Sequence, residues 1–239
     1  MDYKPDQISM DISKRVQMER RFRLLMDATE SKESSNLFFA ALDYRFGGRE
    51  KIPEVILSAW KYSIGIEYEH GNVPAQIYLN HPLRVATIIA KEVQEATEDT
   101  LVVALLHNVF EVSKISFEEI RIQFGESVAQ AVQALTIDRT RTDQEYLFHY
   151  YEGIKSAPAL ASAVKVADKL DNIYMICFNP SQEIRVRYLD EIEKWVIPLA
   201  LKSDVPLAPL LKETITVMRK IGFVNKEAEL ELARKSKII

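Results

Sequence analysis

The sequence predicts an all-α fold, and three observations indicate it. The chain has only 7 glycines in 239 residues. It has few of the Asn-Gly or Asp-Gly pairs that form tight hairpin turns. Apolar residues recur at helical spacing along most of its length. With 47% hydrophobic and 28% charged residues, the composition is that of a soluble globular protein with a full core.

Charge and cysteine content narrow the classes of function and location. The net charge of −4 lacks the basic excess typical of nucleic-acid or membrane-surface binding, so we expect neither partner. The single cysteine, Cys177, excludes an intramolecular disulfide and a thiolate zinc site, which fits a reducing compartment. No segment resembles a transmembrane helix or a signal peptide, so a cytoplasmic protein is expected.

Helices in the first half of the chain are delimited by caps and breakers. The first helix has a one-sided apolar stripe, which favours docking on the body over dimerisation or partner binding. Gly47-Gly48 ends the second helix, and Pro53 opens the third. Residues 67–78 are expected to form a loop, and Asn80 to N-cap the next helix. The expected helices cover residues 8–28, 35–45, 53–65, one from residue 80, and 100–112.

The second half follows the same pattern. Ser116 with Glu119 and Thr142 with Glu145 predict two capping boxes. Gly125, Pro158 and Asn179-Pro180 predict helix ends. The expected helices cover residues 117–124, 127–135, 142–154, 161–175, 181–201, 209–220 and 226–235.

The central helix of residues 100–112 is apolar on nearly every side, yet it carries His107, Asn108 and Glu111. Unpaired polar groups are costly inside a protein, so these side chains require partners. His107 and Glu111 lie one turn apart and share a face, while Asn108 and Val112 share the adjacent face.

His81, His107 and Asp168 lie on three different helices, and Asn172 shares a face with Asp168. Two imidazoles and a carboxylate are the ligands that a divalent transition metal prefers, and such a metal lowers the pKa of a bound water. Glu111 could orient or deprotonate that water. The alternative is that each histidine is a hydrogen-bonded core residue, and spacing alone does not distinguish the two interpretations.

Five segments carry a resemblance to a known family. Residues 78–86, 104–108 and 164–172 resemble the three ligand motifs of HD-domain phosphohydrolases. Residues 124–129 and Leu135-Thr136 also resemble RelA/SpoT hydrolase domains and small alarmone hydrolases. The resemblance covers roughly residues 57–199. It implies a single HD-domain helical bundle with added N- and C-terminal helices, divided as residues 1–51, 52–205 and 206–239.

The resemblance also implies an activity and its residues. That family binds Mn²⁺ and removes the 3′-pyrophosphate of (p)ppGpp. His81, His107, Asp168 and position 108 would be metal ligands, Glu111 would activate the water, and Asn172 would lie near the ribose and metal. The residues implied for substrate binding are Lys165, Arg185, Arg187 and Tyr188; for the last three, a solvated helix face is an equal alternative.

Three departures bear on activity. The family's His-Asp pair is here His107-Asn108, and its Glu-Asp pair is Glu111-Val112. A neutral amide oxygen is a weaker ligand for a hard cation than a carboxylate, so Asn108 predicts weakened or lost metal binding. The loop of residues 62–69 is acidic and contains tyrosines where the family has a basic loop. It is therefore not expected to hold phosphates in the same way.

Three hypotheses stay open at this point. The first is a metal-dependent nucleotide phosphohydrolase with weakened or retargeted activity. The second is an inactive HD fold that binds a nucleotide or a protein as a regulatory module. The third is a structural helical partner, suggested by the charged first helix and the C-terminal helices. The sequence leaves the oligomeric state open, including a homo-oligomer.

Overall fold

A computed structural model describes residues 11–29, 31–71, 73–203 and 205–236. Within these ranges the regular structure is helical, and the β-type pairing is one isolated bridge between His70 and Val73. The all-α prediction is therefore confirmed. The α-helices are α1 Ile12–Asp27, α2 Lys32–Phe46, α3 Glu54–Ile64, α4 Ala75–Tyr78, α5 Asn80–Glu92, α6 Glu98–Leu106, α7 Val109–Val112, α8 Phe117–Phe124, α9 Glu126–Leu135, α10 Gln144–Ser156, α11 Ala159–Ile173, α12 Gln182–Glu191, α13 Ile197–Lys202, α14 Ala208–Ile221 and α15 Lys226–Lys235.

Shorter helical turns complete the architecture. Two 3₁₀ turns, Arg49–Lys51 and Ile176–Phe178, follow α2 and α11. A π-helical turn, Ile192–Val196, joins α12 to α13, so the helix expected over residues 181–201 contains one wide turn. Such turns often occur at functional sites. The expected loop of residues 67–78 contains the single turn α4.

The predicted capping residues have mixed outcomes. The box at Ser116 is confirmed, because its Oγ accepts from the Glu119 backbone N–H at 3.3 Å and the Glu119 carboxylate accepts from the Ser116 N–H at 2.8 Å. The box at Thr142 is wrong. Asp143 is the N-cap of α10 instead, and its carboxylate accepts from the Tyr146 N–H at 2.8 Å. Thr142 and Asp143 are adjacent, and an aspartate caps a helix as well as a threonine does. The sequence pattern therefore could not decide between the two residues.

Asn80 does not cap its own helix, contrary to the prediction. It is the first residue of α5 and is fully buried. Its Nδ2 donates to the carbonyl oxygens of Met26 at 3.1 Å and Thr29 at 3.0 Å. The last carbonyls of a helix lack intrahelical partners, so Asn80 satisfies the end of α1 and ties it to α5.

The central helix predicted over residues 100–112 is interrupted. Helix α6 ends at Leu106, and α7 begins at Val109. Between them Asn108 has φ −120° and ψ 10°, which lies outside the helical region. The break turns the chain at His107 and Asn108, so the polar residues of this segment lie at a cavity.

Helices α5, α6 and α11 form the centre of the fold. Helix α5 packs on α2, α6 and α11, while α6 also packs on α3 and α9. Residues 100–106 of α6 are all buried. Helix α1 docks on α14 and α15, with Val16, Leu24 and Met26 buried. Within the described ranges, no helix is both long and apolar enough to cross a membrane.

Buried ion pairs reinforce the contact between α1 and α15. The Glu229 carboxylate accepts from Arg20 Nη2 at 2.7 Å and from Arg21 Nε at 2.9 Å. Burial raises the pKa of this carboxyl, but the hydrogen bonds from both arginines outweigh burial, so its pKa is lowered in the folded protein. A carboxyl whose pKa is lowered by folding stabilises the fold above its unfolded pKa, and this contribution is lost as the pH falls.

We expect Glu229→Ala to destabilise the protein by about 3 kcal/mol at neutral pH, because it leaves the buried Arg20 guanidinium unpaired. Urea unfolding of the full chain measures this change. The difference from wild type should shrink as the pH falls below the unfolded pKa of glutamate, about 4.3. The control is Glu231→Ala, which removes an exposed pair with Lys235 on the same helix and should change stability by less than about 1 kcal/mol. Equal effects of the two variants would contradict the prediction.

Candidate metal centre

Three candidate ligands converge from separate helices. His81 lies on α5, His107 follows α6, and Asp168 lies on α11. The Asp168 Oδ1 atom is 3.2 Å from His81 Nε2 and 3.8 Å from His107 Nε2. The two Nε2 atoms are 3.2 Å apart. All three ligand atoms lie within 4.8 Å of one another, so one cation could contact them all.

The orientation of His81 is set by Asp171, whose Oδ2 lies 2.9 Å from the ring Nδ1. This contact directs the opposite nitrogen, Nε2, toward Asp168 and His107. Burial lowers the pKa of His81, but the hydrogen bonds to Asp168 and Asp171 outweigh it and raise the pKa to about 9. At neutral pH the ring is therefore protonated on both nitrogens, with Nδ1 facing Asp171 and Nε2 facing Asp168.

The second imidazole, that of His107, is neutral, in contrast to the protonated ring of His81. His107 Nδ1 donates to the carbonyl oxygen of Ala104 at 2.9 Å, which leaves the lone pair on Nε2. Burial, opposed by Asp168, lowers the pKa of His107 to about 4. A neutral imidazole with its Nε2 lone pair facing the cluster is the form that binds a metal.

Asp168 contributes the negatively charged carboxylate of the candidate metal centre. Lys165 Nζ donates to its Oδ2 at 3.1 Å, and Asn172 Nδ2 donates to its Oδ1 at 2.7 Å. Burial raises the pKa of this carboxyl, but Lys165 and the bond from His81 hold it well below its usual range. Asp168 is therefore ionised, and Asn172 fixes the oxygen that faces both histidines.

Asn108 adds a fourth candidate ligand atom, an amide oxygen, to this cavity. Its Nδ2 donates to the Tyr78 hydroxyl, and its Oδ1 is buried with no hydrogen-bond partner among the described residues. A buried acceptor without a partner is costly, and a carbonyl oxygen is a ligand for hard cations. Two imidazole nitrogens, a carboxylate oxygen and this amide oxygen fit a divalent cation. Val112 is buried and adds no ligand.

Glu111 on α7 faces the same cavity and is held by two groups that the sequence did not indicate. The Ile137 N–H donates to its Oε1 at 3.1 Å, and Arg139 Nε donates to its Oε2 at 2.8 Å. The Glu111 side chain is 7% exposed, whereas that of Arg139 is 59% exposed. The loop after α9 therefore positions Glu111 and places the positively charged guanidinium of Arg139 at the cavity.

The cavity has a volume of about 910 Å³ and collects most of the predicted site residues. Its walls include His81, His107, Asn108, Glu111, Lys165, Asp168, Asn172, Arg187 and Tyr188. Arg185 is not among its lining residues. Its Nη1 donates instead to the carbonyl oxygens of Asn179 and Pro180, at 2.6 and 3.0 Å.

Several lining residues escaped the sequence analysis. Lys169 stands one residue after Asp168 in the last motif, but its role emerges only from its contact with Glu191 at 2.8 Å. Arg139 and Arg141 lie in a loop without periodicity, so no sequence pattern could place them. The basic side chains on the cavity wall are Arg139, Arg141, Lys165, Lys169, Arg187 and Lys194.

The acidic loop of residues 62–69 lies beside this cavity but does not line it. Glu67 and Glu69 line a second cavity of about 450 Å³ instead. Tyr68 is buried, with its ring centroid 5.0 Å from that of Tyr78. The loop therefore supports the tyrosine that holds Asn108, and its carboxylates line the second cavity and not that of the candidate metal centre.

Comparison with known proteins identifies the family. Residues 59–206, more than half of the chain, match the HD domain family. The chain belongs to the HD domain family. This confirms the resemblance seen in the ligand motifs, with Asn108 and Val112 standing where that resemblance implies aspartates.

Curated relatives share part of this region. A guanosine-3′,5′-bis(diphosphate) 3′-pyrophosphohydrolase of Drosophila melanogaster, MESH1, is 35% identical over 115 residues, which are 46% of this chain and 64% of the relative. The chain thus spans less than two thirds of that relative. An Aquifex aeolicus enzyme of the same name is 29% identical over 64% of this chain and 22% of its own length. A solved structure of a metazoan SpoT orthologue that hydrolyses ppGpp aligns with 78% of this chain and 98% of its own, at 24% identity and a TM-score of 0.47.

We expect His107→Ala to lower the affinity for Mn²⁺ by more than about 100-fold, because it removes a direct ligand and outer-shell changes alone cost about 10–100-fold. Isothermal titration of the metal-free full chain with Mn²⁺ measures this. His149→Ala is the matched control, since His149 is exposed on α10 and outside the cluster. Equal Mn²⁺ affinity in the two variants would exclude His107 as a ligand.

Proposed function

We propose that this chain is a metal-dependent phosphohydrolase that removes a 3′-pyrophosphate from a guanosine nucleotide of the (p)ppGpp type. The observation that carries the proposal is the convergence of His81, His107 and Asp168 in a cavity rimmed by basic side chains. Membership of the HD domain family and the names of the relatives support the same reaction.

The metal site is proposed to consist of His81, His107, Asp168 and the Asn108 amide oxygen, with Mn²⁺ as the native ion. The bound cation would supply Lewis acidity that lowers the pKa of a water. To bind a metal, His81 Nε2 would have to lose its proton. The Nδ1 proton would stay on the ring and be donated to Asp171, which is the arrangement that orients a ligand histidine.

Glu111 is proposed to orient the attacking water and accept its proton. Arg139 and the Ile137 N–H fix its carboxylate at the cavity, which general base catalysis requires. The water oxygen bonds to the phosphorus next to the 3′ oxygen, and the P–O3′ bond breaks. The 3′ oxygen takes up a proton from solvent, and Glu111 returns to solvent the proton that it accepted. The products are pyrophosphate and a nucleotide with a free 3′ hydroxyl.

The basic side chains are proposed to bind the phosphates. Hydrolysis of a phosphoryl group needs positioning and charge stabilisation more than covalent chemistry. Arg187 and Lys194 line the cavity on the side of α12 and the π turn. Asn172 and Tyr188 are proposed as contacts to the ribose and base. Lys165 is proposed to act mainly on Asp168, its hydrogen-bond partner.

A second candidate function is a catalytically inactive HD fold that binds a nucleotide or a protein. Asn108 and Val112 favour it, because both stand where the family resemblance implies a carboxylate. We propose residues 1–51 and 206–239 as additions to the HD unit in either case. Cytoplasmic location, the absence of nucleic-acid binding and the oligomeric state stay predictions.

Turnover separates the two functions. We expect the full chain with Mn²⁺ to release pyrophosphate from ppGpp, and Asn108→Asp to raise the Mn²⁺ affinity by about tenfold or more, because it places a full charge on the ligand oxygen. Chromatography of nucleotide products and a Mn²⁺ titration measure the two effects. Ribose-linked diphosphates without a 3′ group serve as control substrates. Stoichiometric nucleotide binding without pyrophosphate release by either protein would favour the inactive module.

We expect Glu111→Gln to lower kcat by about 10²–10⁴-fold, the usual contribution of a general base, while Mn²⁺ affinity stays near that of wild type. The amide keeps an oxygen for one of the two donors, the Ile137 N–H or Arg139, but it cannot accept the proton of the water. Steady-state kinetics with ppGpp measures the loss. Glu183→Gln, on the cavity wall in the first turn of α12, is the matched control. Unchanged kcat in Glu111→Gln would assign the proton to another group.

A further inference from the structure

An arginine outside the region that matches the HD domain family contacts the carboxylate behind His81. Arg23 lies on α1, and its side chain is 4% exposed. Its Nε donates to the Asp171 Oδ1 at 2.9 Å and to the Asp171 carbonyl oxygen at 3.1 Å. The guanidinium therefore holds both the side chain and the backbone of Asp171 at the end of α11.

Asp171 connects this arginine to the candidate metal centre. Its carboxylate is 1% exposed and also accepts from Arg84 Nε at 3.0 and 3.1 Å. The carboxylate also contacts His81 Nδ1, which lies 2.9 Å from Oδ2. Two guanidinium groups therefore hold the carboxylate that orients one ring of the candidate metal centre.

Helix α1 in turn fixes both arginines. Arg23 Nη1 donates to the Glu19 carbonyl oxygen at 3.1 Å and to the Glu19 carboxylate, and its guanidinium lies 4.3 Å from the Tyr174 ring centroid. Asp27, at the end of α1, accepts from Arg84 Nη1 at 2.6 Å. Two residues of α1 thus constrain the two guanidinium groups that hold Asp171.

We propose that Arg23 is a positioning residue for metal binding: through Asp171 it fixes the His81 ring with Nε2 toward the cation, so this one contact of α1 contributes to the metal affinity. The proposal rests on the proposed function, because it takes His81 as a ligand. A carboxylate on the far nitrogen of a ligand histidine fixes its tautomer and orientation, and losing such a partner costs about 10–100-fold in affinity.

Arg20 provides a matched comparison on the same helix. Its side chain is 7% exposed and pairs with Glu229 on α15 rather than with Asp171. Replacing either arginine by methionine removes one buried guanidinium from α1 and leaves one buried carboxylate with fewer partners. A purely structural role of α1 predicts similar effects of the two changes, whereas positioning through Asp171 predicts an effect specific to Arg23.

The test uses the full chain and Mn²⁺ as the probe, with affinity measured by titration and folding checked by circular dichroism. We expect about tenfold weaker Mn²⁺ binding in Arg23→Met, about 10–100-fold in Asp171→Asn, and wild-type affinity in Arg20→Met. Arg23→Lys, which keeps the charge without the planar fork, should fall between wild type and Arg23→Met and replaces it if Arg23→Met does not fold. In the double variant Arg23→Met/Asp171→Asn, the effects should not add, because both act through one carboxylate.

A second readout needs no metal. With ¹⁵N-labelled histidine, the metal-free wild type should show one His81 ring form with a protonated Nδ1, as should Arg20→Met. Arg23→Met should show an altered His81 resonance. Mn²⁺ affinities that are equal in Arg23→Met and Arg20→Met, or fully additive effects in the double variant, would overturn the proposal while the proposed function stands. If the wild type binds no Mn²⁺, the proposed function fails, and the histidine spectra decide whether Arg23 positions His81.

Discussion

Helix α11 places four charged side chains in the interior, and the structure depends on pairing them. Lys165, Asp168, Lys169 and Asp171 are each no more than 8% exposed. An unpaired buried charge is very costly, so each must meet a partner from another element or from its own helix. The partners come from α1, α5 and the end of α12, at Arg23, His81, Arg84 and Glu191. The charges of one helix thus dictate which neighbours can pack on it.

These pairs also divide α11 into two functional sides. Asp171 faces the arginines of α1 and α5, and it reaches the cluster through a hydrogen bond with His81 Nδ1. Asp168 faces the two imidazoles directly and meets Lys165 and Asn172 along its own helix. One carboxylate therefore suits a ligand and the other suits a support for a ligand. Both stay ionised because cationic neighbours offset the cost of burial.

The break after α6 serves the same site from the opposite wall. An unbroken helix would keep His107 and Asn108 within a row of buried apolar side chains. The turn instead ties His107 Nδ1 to Ala104 and sets Nε2 toward Asp168. It also starts α7, which carries Glu111 to the loop of Ile137 and Arg139. The irregular pair His107-Asn108 thus brings a candidate metal ligand and an amide oxygen to the cavity, and it leads into the helix that carries the Glu111 carboxylate.

The sequence by itself determined the fold class, most helix limits and the three metal-ligand candidates, because helical periodicity, capping residues and ligand motifs are local patterns. It also identified Asn108 and Val112 as the two positions where the family resemblance implies a carboxylate and this chain has none.

Only the tertiary structure decided what the other polar residues do. Asn80 has the residue type of an N-cap, yet it bonds the end of α1. Arg139 bonds to Glu111, and Arg23 bonds to Asp171. The two residues of each pair are well separated in sequence, so no local pattern links them. Arg185 has the expected residue type, but its helix directs it to the carbonyl groups of residues 179 and 180. Long-range pairing depends on how helices pack, and that information is absent from spacing along one chain.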